Sequence, residues 1–82
     1  MIPITLRFFG QLRELANCDE ADIQVKEDTK VEDLIWLVGE RFPNLREHLE
    51  FVSISIDNEY AAKGTVLQDG NVVGLLPPIS GG

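Results

Sequence analysis

Asp69-Gly-Asn-Val-Val-Gly-Leu-Leu-Pro-Pro-Ile-Ser-Gly-Gly82 decides how the chain folds. It reads as a turn, a strand and a tail. Asp69-Gly70-Asn71 carries turn chemistry, because glycine tolerates positive φ and Asp hydrogen-bonds its own backbone. Val72 to Leu76 is a short apolar run, the mark of a strand covered on both faces. Pro77-Pro78 ends the ladder, since proline has no N–H to donate and its φ is fixed. Two prolines favour a stiff, extended exit. Gly81 and Gly82 carry no side chains, so their backbone suits a channel too narrow for other residues. A carboxylate on such an unhindered carbon is the group an enzyme would adenylate and pass on as an acyl group.

Working outward, the apolar pattern supplies partners for that strand. Ile2 to Phe9 alternates, with Ile4, Leu6 and Phe8 on one face and Thr5, Arg7 and Phe9 on the other. Gln11 to Ala16 is expected as a helical turn with Leu12 and Leu15 inward. Asp19 to Asp22 reads as a polar loop. Ile23 and Val25 then mark a second strand, antiparallel to the first and near the sheet edge. Thr29-Lys-Val-Glu32 has the spacing of a capping box. Val31, Leu34, Ile35, Val38 and Phe42 follow helical spacing, with Trp36 and Leu37 widening the stripe, and Pro43 stops the helix. Leu45 and Leu49 lie on one side of a further short turn. Val52, Ile54 and Ile56 alternate as a third strand. Asp57-Asn58-Glu59 turns into a short edge pairing at Tyr60-Ala61, and Val66-Leu67 packs down before the final strand.

These elements predict an α+β fold: a mixed four- to five-stranded sheet with one main helix packed on one face. The first and last strands are the most apolar and are expected to be parallel central neighbours. This is the β-grasp, or ubiquitin-like, arrangement. Residues 1–82 read as a single domain, with 77–82 as a projecting tail. On the outer face, Phe9 and Leu76 are stranded beside polar Thr5, Arg7, Ser53 and Ser55. Phe9, Leu76 and Arg7 are therefore the candidate docking residues.

Composition narrows the function. Hydrophobic residues make up 44% of the chain, enough for a core without metal or disulfide. One cysteine, Cys18, and one histidine, His48, cannot build a four-ligand zinc or iron–sulfur site. A formal net charge of -7 disfavours nucleic acid and suits a partner with a basic surface. No apolar run reaches membrane-spanning length and no leader is evident, so a cytoplasmic setting is expected. No catalytic constellation emerges: Asp19-Glu20 and Glu32-Asp33 read as solvated carboxylates, and His48 as a surface residue.

Phe8-Phe9-Gly10-Gln-Leu-Arg-Glu-Leu15, the Leu67-x-Asp69-Gly70-Asn71 turn and Leu76-Pro-Pro-Ile-Ser-Gly-Gly82 together resemble the small subunits of molybdopterin synthase, a family of sulfur carriers. The resemblance spans the whole chain. The family often has Val where this chain has Ile79 and Ala where it has Gly10, changes not expected to touch the chemistry. The resemblance implies no catalytic residue and no bound cofactor in this chain. It implies that an ATP-dependent adenylating enzyme activates Gly82 and that a sulfur donor protein converts the adenylate to a thiocarboxylate. Pro77, Pro78, Ile79, Ser80, Gly81 and Gly82 would then thread into the active site of the large subunit of molybdopterin synthase. Two alternatives share the Gly-Gly end: a carrier for thiamine or tRNA thiolation, and a ubiquitin-like modifier of lysines.

Overall fold

The computed structural model describes residues 1–78; the tail positions Ile79, Ser80, Gly81 and Gly82 lie outside the described residues. Five strands form one sheet: β1 (Ile2–Phe8), β2 (Glu20–Val25), β3 (Ser53–Ile56), β4 (Glu59–Tyr60) and β5 (Val72–Leu76), in the order β2-β1-β5-β3-β4. β1 and β5 run parallel at the centre, with Leu6 opposite Val73 and Phe8 opposite Leu75. The β1–β2, β3–β5 and β3–β4 pairings are antiparallel. The helices are α1 (Gln11–Ala16), α2 (Val31–Arg41) and α3 (Arg46–Leu49), with a 3-10 turn at Pro43–Leu45.

Period-two alternation places Ile4, Leu6 and Phe8 of β1 and Val73 and Leu75 of β5 in the core. Period-3.6 spacing places Val31, Leu34 and Val38 of α2 in the same cluster. The Phe8 and Phe42 rings meet edge to face with centroids 5.0 Å apart. Leu45 and Leu49 close the end of the core beneath the short helices. Cys18 is half-buried against this cluster.

The edge pairing expected at Tyr60-Ala61 falls at Glu59–Tyr60, and Val66 is 38% exposed rather than packed down. Four further expectations change. First, residues 20–22 are strand, not loop: Glu20, Ala21 and Asp22 pair with Arg7, Leu6 and Thr5, and only Asn17 to Asp19 remain as the connection. Polar side chains disguised this segment because β2 is an outer strand with one face in water.

Second, the Thr29–Glu32 capping box does not form, and only the return half of one appears, one residue later. The Thr29 hydroxyl donates to the Lys26 carbonyl at 2.7 Å, and Asp33, not Glu32, accepts from the Lys30 N–H at 3.1 Å. The first free N–H groups of α2, at Val31 and Glu32, donate to the carbonyls of Thr65 and Lys63 at 2.9 and 3.0 Å. A strap from distant sequence thus does what a threonine cap would have done. It is held by the Lys30–Val66 bridge and by the buried Leu67.

Third, Trp36 and Leu37 do not widen the core stripe: they are 66% and 36% exposed. α2 lies across only one face of the sheet, so a side chain beyond the Val31–Leu34–Val38 line has nothing to pack on.

Fourth, β5 is not covered equally on both faces. Val73 and Leu75 are 0% and 1% exposed, whereas Val72 and Leu76 on the other face are half-buried. That outer face is screened by side chains of the sheet itself, as the site shows.

Candidate functional site

The site is the place where β5 ends and the tail leaves. β1 and β5 being parallel, their C-terminal ends lie side by side, so Phe9 comes level with Leu76. The Phe9 N–H donates to the Leu75 carbonyl at 3.2 Å, extending the ladder to the last core residue of β5.

Gly74 provides the seat for Phe9. A Cβ at position 74 would lie 3.1 Å from Phe9 Cε2 and 2.5 Å from Ser55 Oγ. Only glycine leaves room for the ring and the hydroxyl together. Arg7 covers the ring, its guanidinium carbon 5.4 Å from the ring centre, while its Nε faces Glu20 Oε1 at 3.4 Å. That pair is solvent-exposed on both sides and orients Arg7 rather than adding much stability. Leu76 pairs with Ser53 across the β3–β5 ladder. Phe9, Arg7 and Leu76 thus come together on one face, as the alternation predicts, but Phe9 and Leu76 are half-buried rather than fully stranded.

Gly10 lies against the start of the exit. Its φ is +56°, and a Cβ there would sit 2.9 Å from Pro77 Cγ. The glycine therefore does two things at once: it turns the chain from β1 into α1, and it lets Pro77 lie against that turn. Alanine at this position would carry a backbone and a steric cost in this chain. Pro77 is half-buried and Pro78 exposed, so the chain reaches solvent within two residues of Leu76.

Phe51 was missed by sequence reasoning. It is 64% exposed. It precedes β3, whose first residue Ser53 faces Leu76, so it flanks the exit from the side opposite Phe9. Its neighbours Leu49 and Val52 turn inward, and Phe51 shares the parity of the outward Ser53 and Ser55; a large apolar residue at an outward position was the available signal.

The other end of β5 is clamped. Asn71, buried at 9% exposure, donates through Nδ2 to Asp57 Oδ2 at 2.7 Å and accepts the Gln68 N–H at Oδ1. Asp57 Oδ1 accepts the Val72 N–H at 3.0 Å, and the Asp57 N–H donates to the Val72 carbonyl at 2.9 Å. The Thr5 N–H donates to the Asn71 carbonyl. Asp57 and Asn58 have φ of 50° and 73°, the two-residue hairpin turn that suits Asp and Asn.

The remaining polar candidates are structural. Asp19 faces Arg13 at 3.6 Å, Glu20 faces Arg7, and Asp33 caps α2. His48 is half-buried, its Nδ1 3.5 Å from Gln11 Nε2.

Comparison with known proteins agrees with this geometry. The sequence pattern of the ThiS family matches residues 6–82. The molybdopterin synthase sulfur carrier subunit of Mycobacterium tuberculosis is 33% identical over the full length of both chains. A Pyrococcus furiosus chain described as molybdopterin converting factor, subunit 1, superposes with a TM-score of 0.87 at 30% identity, covering 96% of this chain and 100% of that one. A chain from the complex of subunits 1 and 2 of the molybdopterin-converting factor of Helicobacter pylori superposes with a TM-score of 0.72 at 26% identity, covering 99% and 100%. The chain belongs to the ThiS family.

Proposed function

We propose that this protein is the sulfur carrier subunit of molybdopterin synthase, with Gly82 as its reactive residue. The observation that carries the reading is the end-to-end match to the Mycobacterium tuberculosis sulfur carrier subunit. A tail that leaves a clamped central strand beside an apolar collar supports it.

The chemistry follows from what a carboxylate lacks. It is a poor acyl donor because oxide is a poor leaving group. An ATP-dependent adenylating enzyme joins AMP to the Gly82 carboxylate and releases pyrophosphate. Persulfide sulfur from a donor protein then attacks the acyl carbon and displaces AMP. Reduction of the remaining S–S bond by a thiol frees a thiocarboxylate. That group is anionic and soft, so its sulfur attacks as a thiolate does. The large subunit supplies the catalytic side chains and receives residues 77–82 in its active site. Two carriers in succession deliver the two dithiolene sulfurs to cyclic pyranopterin monophosphate. Phe9, Leu76 and Arg7 form the docking face, and the exposed Phe51 extends it. The setting is cytoplasmic, where these partners and ATP are found together.

The test is the intact mass of the protein after incubation with adenylating enzyme, ATP and a sulfur source. The expected result is one oxygen-for-sulfur exchange, located in the C-terminal peptide. An unchanged mass rejects the carrier reading. An amide bond to a lysine of another protein would favour the modifier reading instead.

A further inference from the structure

The outer strand β2 and helix α2 leave a groove between them that the tail chemistry does not use. Two clefts meet there, sharing Gln24 and Leu37. Ile23, Val25 and Val38 line them, and Trp36 stands at one rim. β2 ends the sheet, so among the described residues no strand pairs with its outer edge. An apolar trough beside an open strand edge is the geometry that accepts an added strand: the backbone gives hydrogen bonds and alternate side chains enter the trough.

Charge selects the occupant. Glu27, Asp28 and Asp33 line the Trp36 end against Lys26 and the amino group of Met1, so carboxylates outnumber cations there. The 66% exposure of Trp36 leaves a large indole face for an apolar group or a cation. We propose that this groove binds an extended segment of a partner protein, apolar at alternate positions and basic at the end that meets Trp36. The Trp36 end lies beside Val25, which pairs with Ile2, at the opposite end of β1 from Phe9 and the tail exit. A partner held here leaves the tail free, so the two sites are occupied together. The inference does not depend on which acceptor the tail serves.

Trp36 is the only tryptophan, so its emission reports directly on the groove. The probe is a synthetic nine-residue peptide with valine at alternate positions and two lysines at one end. Two controls replace its lysines with glutamates or N-methylate its alternate amides. The expected result with the full-length protein is a blue shift of Trp36 emission, with amide chemical-shift changes confined to β2, the turn that follows it and the α2 residues from Asp33 to Arg41. N-methylation and the glutamate swap should each lower affinity at least ~10-fold, the equivalent of about 1.4 kcal/mol. Trp36→Ala, followed by the same amide shifts, should weaken the lysine peptide by a similar factor without altering the β-sheet signals. Three outcomes overturn the proposal: no shifts on β2, equal binding of all three peptides, or a Trp36 blue shift on concentrating the protein alone. The last would assign the groove to a second copy.

Discussion

The two ends of β5 differ in how they are held, and the difference explains what the strand is for. At its start, Asn71 and Val72 are bound by Asp57, Gln68 and Thr5 through side chains and backbone together. At its end, the chain is held by the Phe9–Leu75 backbone bond, by the Leu76–Ser53 pairing and by the packing of Pro77 on Gly10, with no side-chain clamp among the described residues. Two residues later it is in solvent. On the proposed function, a strand bolted at entry and less held at exit would keep the domain folded while its tail enters the partner. Between the ends, Val73 and Leu75 anchor it in the core.

The largest effect should come from the free end, without any change in folding. Gly81→Val adds a branched side chain to a backbone that, on the proposed function, enters a closed channel. Displacing the acyl carbon by about 1 Å is enough to lower the rate on the order of 100-fold. Molybdopterin formation should fall by at least that factor while the melting temperature stays at the parent value. Adding one residue after Gly82 should act the same way, by moving the reactive carbon out of register. A tail variant that melts normally and turns over at the parent rate would refute threading.

The clamped end should behave in the opposite way. Asn71→Ala strips the Gln68 N–H and the Asp57 carboxylate of a buried partner. Asp57 is exposed and regains water, so the loss should be about 2 kcal/mol rather than the larger figure for a stranded charge. Urea titration measures it. Sulfur loading per folded molecule should be unchanged. Loss of loading at full stability would mean that the two ends are not independent.

This clamp also shows where the sequence stops being legible. Ile4, Leu6 and Phe8 declare their faces by alternation, and Val31, Leu34 and Val38 by helical spacing, because one-sided burial imposes those periods. Parallel pairing of β1 with β5 follows from their being the most apolar strands. The tail motif is legible because glycine and proline act through the backbone. What was hidden depended on residues far apart in the chain. Asp57 bonds a partner 14 residues away, and the strap at Lys63 to Val66 caps a helix that begins at Val31. Trp36 misled because apolar character alone does not say whether a neighbour exists to cover it. Gly74 and Gly10 look like ordinary strand and turn glycines until Phe9 and Pro77 are placed over them.

A third test probes the collar around the exit. Phe9→Ala removes the ring seated on Gly74. The domain should lose about 1 kcal/mol, because the ring is half-buried outside the main core. Binding to the large subunit should weaken by about 1–2 kcal/mol, measured by calorimetry, as for an aromatic near the centre of an interface. Severe unfolding with unchanged affinity would return Phe9 to the core and leave the docking face without its anchor.

The smallest expected effect on function, and the one that sharpens the contrast most, is that of Gly10→Ala. Two costs arise at once. The φ of +56° disfavours any side chain, and the new methyl meets Pro77 Cγ at 2.9 Å. Together they should lower stability by about 1 kcal/mol, since Pro77 is at the last held position and can shift outward. That shift is the informative part. If Gly10 sets the angle at which the tail departs, the variant should load sulfur more slowly, although position 10 is remote in sequence from Gly82. Combining Gly10→Ala with Pro77→Ala separates the terms, because the double variant keeps the φ cost and loses the contact. Recovery of loading in the double variant, at the stability set by φ alone, would assign the defect to the exit angle. Equal loading in the parent and in Gly10→Ala would show that the tail finds its direction from the partner, and that the exit end of β5 is freer than the packing of Pro77 implies.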